Sequence, residues 1–174
     1  MSKNVGKLVK VWNESEVLID RKSKFQARCC TLKNQKEIPS VLEELVQNNK
    51  SVSKASHMHM YAWRTAELPS DSDSQHKNQD QKKKGSKNHK NNNNNHGNKT
   101  TKITVQPKNV EQGCADCGEA AAGQRLLTLL ERANIFNILV IVTRWYGGTP
   151  LGSSRFRHIS TCAVESLKKG GFLP

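Results

Sequence analysis

The sequence predicts an α+β two-layer sandwich, a mixed or antiparallel sheet with its helices on one face. Ile138 to Val142 is an unbroken, largely β-branched apolar run, the pattern of a strand buried on both faces. Other strand-like segments cluster in the first third of the chain. Three further segments space their apolar residues with helical period, enough to cover a sheet.

Taken in order, Leu8 to Trp12 and Glu16 to Asp20 read as short strands around Asn13-Glu14-Ser15, a hairpin or a bent edge. Lys24 to Leu32 alternates weakly, with Phe25, Ala27 and Cys29 inward, and is a third strand. Glu37 to Asn49 places Ile38, Val41, Leu42, Leu45 and Val46 on one helical face, with Pro39 in the first turn, where a missing amide costs little. Ala55 to Arg64 is a strand with Met58, Met60 and Ala62 on one face and His57, His59, Tyr61 and Trp63 on the other. The sheet resumes at Ile103 to Gln106. Glu119 to Ala133 is a helix lined by Ala122, Leu126, Leu129, Leu130 and Ala133, and Glu119 suits the dipole at its start. After the strand from Asn137, a helix from Ser153 to Lys169 buries Phe156, Ile159, Ala163 and Leu167 and stops at Gly170-Gly171.

Residues 1–174 make one domain, interrupted between Ala66 and Lys102. That tract holds Lys82-Lys-Lys-Gly and the run Asn91 to Asn95 but no aliphatic residue beyond Leu68, so it is expected to be a disordered insertion. Its Asn-rich and Lys-rich composition also suits RNA binding or self-association. Eight lysines against three aspartates between Ser70 and Lys102 carry +5 of the formal charge of +13. The remaining +8 keeps the folded part basic and points toward acidic partners such as RNA or ribosomes. No apolar run approaches the roughly 20 residues of a membrane span, and the N-terminus lacks a signal-peptide core. Five cysteines, two of them adjacent, make a poor disulfide framework. A cytoplasmic, soluble chain is expected, with no membrane partner.

The densest signal is the stretch after the buried strand. Arg144, Trp145 and Tyr146 bring charge and aromatic surface to its end, Gly147, Gly148 and Gly152 punctuate a turn, and Arg155, Arg157 and His158 open the next helix. Strand, glycine loop and helix N-terminus suit the approach of an anion or of another backbone. Read as a recognition surface, the cations contact phosphate and Trp145 or Tyr146 stacks on a base; alternatively both aromatics pack beneath the last helix. Asp116 and Glu119 form a possible acidic site with Arg144, or else a salt-bridge network and a helix cap. Cys114-Ala-Asp-Cys117 has zinc-like spacing, but no second such pair exists, and His57 and His59 complete four ligands only if the sheet sets them alongside. No metal or cofactor is implied. No G-x-S-x-G elbow or Walker A loop is present, so no catalytic residue is assigned.

Gly118-Glu-Ala-Ala-Ala-Gly-Gln-Arg-Leu-Leu127 resembles the segment D-D-G-E-x-A-A-G-x-R-L-L of the IMPACT and YigZ-like family. Val142-Thr-Arg-Trp-Tyr-Gly-Gly through Leu151-Gly152, continuing over Arg155-Phe-Arg-His-Ile159, resembles a second family segment. Arg21 to Ala27 and Tyr61 to Arg64 are weaker matches. The family's paired acids fall at Asp116 and Cys117, so one carboxylate is lost. The family histidine lies three positions before the tyrosine, whereas His57 and His59 lie four and two before Tyr61, so it is assigned to neither. The resemblance implies a fold like domain 2 of ribosomal protein S5. It also implies a non-enzymatic regulator of translation or starvation-kinase signalling, bound to a ribosomal, RNA or translation-regulatory protein partner, or to actin. The rival is a small hydrolase or peptidase using Asp116, Glu119, His57 and His59. The chain is expected to lack the RWD-type domain of the eukaryotic regulators and the ferredoxin-like domain of the bacterial members.

Overall fold

The computed structural model describes residues 10–69 and 106–174. Residues up to Ala66 and from Asn109 onward make one compact unit and Glu67–Lys108 a second, of which only 67–69 and 106–108 are described. The expected insertion between 66 and 102 therefore lies outside the described residues apart from its first four positions, as does Ile103 to Gln106 apart from Gln106. Of the strand expected at Leu8 to Trp12, Leu8 and Val9 lie outside them and Lys10 to Trp12 are not in a strand, a correction to that expectation.

The first strands are β1 (Asn13–Glu14) and β2 (Leu18–Asp20), both antiparallel to β3 (Ser23–Thr31). They do not pair with each other. Pairing falls at Asn13-Glu14, where a turn was expected, because Ser15 behaves as a ladder partner of Ala27. Its amide donates to the Ala27 carbonyl at 2.9 Å, and its Oγ accepts from the Ala27 amide at 2.9 Å. The Arg28 guanidinium donates to Glu14 at 3.0 Å beside it. Between β2 and β3, Arg21 and Lys22 both have positive φ (46° and 67°), as a two-residue loop matching the strands' twist requires.

A 3-10 turn (Gln35–Glu37) leads into α1 (Ile38–Asn48), with Pro39 in its first turn, and then α2 (Lys50–Ser53). The strand β4 (His57–Glu67) follows; the sheet resumes with β5 (Lys108–Ala115), later than expected, and then α3 (Ala122–Arg132), β6 (Ile138–Trp145) and α4 (Ser154–Lys169). The six-stranded sheet has the order β1-β3-β6-β4-β5, with β2 also on β3. β6 is antiparallel to both β3 and β4. No helix among the described residues is long and apolar enough to cross a membrane.

The α+β class and the antiparallel sheet are as the sequence indicates, but the helices occupy both faces, correcting the expectation of one. The cause is β6. Ile138, Val140 and Val142 join Phe25, Ala27, Met60, Ala62 and the buried sides of α3 and α4 in one core. Leu139 and Ile141 project the other way, into a second core with Cys30, Leu32, Trp63 and the α1 residues Ile38, Val41 and Leu45. A strand apolar on both sides is stable only when both are covered.

Cys29, Cys30 and Cys162 are buried. Burial pushes the Cys30 thiol up to about 12 and that of Cys162 up to about 11, and raises Cys29 as well. At pH 8, a maleimide is expected to label at most two of the five thiols in the native protein, Cys114 and Cys117, and all five in denaturant. Native labelling of Cys30 would contradict this packing. Because the unfolded chain releases these thiol protons first, stability should fall as pH rises from about 9 toward 12.

Candidate functional site

The sheet register sets the site. Arg144 on β6 stands opposite Phe25 on β3 and His57 on β4, so the three side chains share the face under α3 and α4. His57 reaches that face through a β-bulge. On β6, Val142 and Arg144 are two residues apart, whereas their partners Met60 and His57 are three apart. The extra residue puts His57 with Met60 and Ala62, while Met58, Tyr61 and Trp63 pack in the opposite core. Simple alternation had grouped His57 with Tyr61 and Trp63.

Glu119 comes from the turn before α3. The helix starts at Ala122, not at Glu119, after a loop in which Cys117, Gly118 and Ala121 all have positive φ. Asp116 closes this loop: Oδ1 accepts from the Gly123 amide at 2.8 Å and Oδ2 from the Ala121 amide at 3.2 Å. Satisfying such free helix-start amides contributes about 1 kcal/mol. Gly118 is at φ +82°, and a Cβ there would lie 3.2 Å from the His57 Nδ1 atom, so both backbone and space call for glycine. The loop turns Glu119 inward, onto the sheet.

The Glu119 side chain is 3% exposed and that of Arg144 5%. Arg144 Nη1 donates to both carboxylate oxygens, at 2.8 and 2.7 Å. Arg155, from the first turn of α4, brings Nε within 3.2 Å of Oε1 but out of line for a hydrogen bond. His57 Nε2 lies 3.3 Å from Oε2, and its Nδ1 donates to the Cys117 carbonyl at 2.9 Å. With the Nδ1 proton committed, the ring donates to Glu119 only in its charged form. The Arg144 guanidinium also lies 5.2 Å from the Phe25 ring centroid and 5.5 Å from that of Tyr146. Two arginines thus face one carboxylate, leaving a surplus positive charge beside a cavity of about 520 Å³.

The residues singled out in the sequence divide among several environments. Arg144, Tyr146, Gly152 and Arg155 line the cavity with Glu119 and His57. Trp145 points to the opposite face of the sheet, packs against the second core and donates to the Ser51 carbonyl at 2.7 Å. Gly147 abuts the Arg21-Lys22 turn, its amide donating to Ser23 Oγ at 3.0 Å, while Gly148 has open space around its Cα. His158 pairs with Asp20 at 2.7 Å and rests on Phe25. Arg157 is exposed, and Asp116 is committed to the start of α3. His59 has a buried Nδ1 without a hydrogen-bond partner. Cys114 is exposed on β5 and Cys117 is half-buried. Among the described residues no group of three or more His, Cys, Asp or Glu side chains is placed to hold a metal ion. Sequence reasoning missed Ser56, Pro150 and Leu151 as cavity residues; Ser56 sits just before the strand and carries no motif of its own.

The family model of the Impact N-terminal domain matches residues 21–167. An IMPACT family member of Saccharomyces cerevisiae is 82% identical over 174 residues, spanning all of both chains. Protein IMPACT-B of Xenopus tropicalis is 35% identical over 158 residues, which are 90% of this chain and 37% of that one. The chain therefore covers the whole of the yeast relative but little more than a third of the vertebrate one. A solved structure described as a hypothetical protein has a similar fold, with a TM-score of 0.53 at 20% identity, over 96% of this chain and 63% of that one. The segments that meet around Glu119 and Arg144 fall within the matched region, and the chain belongs to the IMPACT family.

Proposed function

We propose that this chain is a non-enzymatic regulatory protein acting in translational control, which binds an acidic ribosomal, RNA or protein partner through its basic surface. One observation carries the reading. The buried carboxylate of the site, Glu119, is bound on both oxygens by Arg144, and Asp116 spends both of its oxygens on backbone amides. Both acids are thus engaged in holding the fold together, and the charge left over is positive. The link to translation is the one that the family resemblance implies, and the formal charge of +13 supports an anionic partner.

The test is sedimentation of the full chain with ribosomes from lysate, with and without ribonuclease. Binding should weaken at least tenfold between about 50 and 200 mM salt as counterions are released. Arg157→Glu, on the exposed side of α4, should weaken it further without lowering the melting temperature. Salt-independent association, or association with neither ribosomes nor RNA, would contradict the anionic partner. The His57–Glu119 approach of 3.3 Å favours the rival hydrolytic reading. Peptide or ester turnover that Glu119→Gln abolishes would establish that rival instead.

A further inference from the structure

The cavity beside Glu119 has more donors than its own carboxylate can satisfy. Glu119 engages one terminal nitrogen of Arg144, and among the described residues no other acid lies within ion-pair distance of Arg144 or Arg155. Arg144 Nε is buried without a partner. The 16-residue helix α4 starts at the cavity's edge, where Leu151, Gly152 and Arg155 line it, and Ser153 gives its first-turn amides no side-chain cap. Gly152, at φ +59°, lines the cavity with open space around its Cα, since a Cβ there would touch nothing within 4 Å. At the rim, Tyr146 is 48% exposed, with the Arg144 guanidinium 5.5 Å from its ring centroid.

We propose that this cavity binds a nucleoside 5′-monophosphate, its phosphate among Arg144, Arg155 and the start of α4 and its base stacked on Tyr146. Donors arrive from two elements, Arg144 from β6 and Arg155 with the first-turn amides from α4, and converge from different directions, which suits a group with three terminal oxygens better than a planar carboxylate. Tyr146 offers a ring for a planar heterocycle to lie on. The volume of about 520 Å³ lies within the range of roughly 300–1,000 Å³ typical of small-ligand sites. The assignment deepens the binding reading of the same site and rests on it.

Calorimetric titration of the full chain with adenosine 5′-monophosphate, inorganic phosphate and adenosine tests it. The nucleotide should bind at least tenfold more tightly than either half, since each half forgoes a contact worth roughly a factor of ten. Arg155→Ala and Tyr146→Ala change partly exposed side chains and should each cost about tenfold. Glu119→Gln keeps an acceptor for Arg144 but removes the competing charge, so it should tighten binding, an outcome that a purely structural cluster does not produce. A melting curve of each variant verifies folding. Equal binding of phosphate and nucleotide, unchanged affinity in Arg155→Ala, or no heat with any ligand would overturn the assignment. A 5′-phosphorylated oligoribonucleotide that binds more tightly than the mononucleotide assigns the site to an RNA end; equal binding assigns it to the free nucleotide. Failed titration with intact ribosome sedimentation removes the nucleotide site alone, whereas the reverse removes the regulatory reading.

Discussion

Arg144→Ala should lower the stability of the folded chain by about 3 kcal/mol, because it leaves the Glu119 carboxylate buried without its main partner. Removing one member of a buried ion pair typically costs about 3–5 kcal/mol. The lower end applies because Arg155 and His57 remain within 3.2 and 3.3 Å of Glu119. Urea unfolding measures the loss directly. For a chain of this size it corresponds to a melting temperature lower by roughly 6–12 °C. Arg157→Ala, on the exposed side of α4, should stay within about 0.5 kcal/mol of the parent. Equal, small effects of the two changes would show that Arg144 is a surface cation after all.

Gly147→Ala should be comparably severe for a different reason. The added Cβ would lie 2.2 Å from the Lys22 carbonyl carbon and 2.3 Å from the Ser23 nitrogen, both backbone atoms that no rotamer change can move aside. The β2–β3 turn and the loop after β6 must then separate, losing the bond from the Gly147 amide to Ser23 Oγ. Overpacking of this kind costs about 1–3 kcal/mol or more. Gly148→Ala is the informative control. It meets open space but sits at φ +93°, so it should cost only the backbone strain, about 1–2 kcal/mol. Thermal melts that rank Gly148→Ala as the worse of the two would contradict the close approach at Gly147.

The contrast between these glycines marks where sequence reasoning stops. Three glycines after a strand announce a turn, but only the fold shows that Gly147 is needed for space and Gly148 for conformation. β6 was legible because burial on both faces writes itself as an unbroken apolar run. That run also demands cover on both sides, a consequence that a two-layer reading overlooks. α1 and α4 were legible through apolar spacing, with α4 stopped by Gly170 and by Gly171 at φ +76°.

Two features of the site were not legible. The bulge in β4 depends on pairing with β6, and nothing within His57 to Met60 distinguishes it from regular alternation. Glu119 is followed by Ala120-Ala-Ala, residues of high helix propensity, so the helix seemed to begin there. Tertiary contact prevails over that local preference: the ion pair with Arg144 and the positive-φ turn at Cys117 and Gly118 hold Glu119 out of the helix. The preceding Gly118 was the available hint of a turn. The pairing of β1 was hidden for a similar reason, since it depends on Ser15 meeting Ala27 across the sheet.

The account depends above all on Glu119 serving as the counter-charge of a cationic binding site and not as an acid or base. A double-mutant cycle of Glu119→Leu and Arg144→Leu, followed by urea unfolding, measures that relationship. Each single change strands a buried charge, whereas the double change removes both, so the pair should recover about 2–3 kcal/mol relative to the sum of the singles. Additivity within about 0.5 kcal/mol would mean that the two groups do not depend on each other, and the ion-paired site at the centre of this account would be wrong.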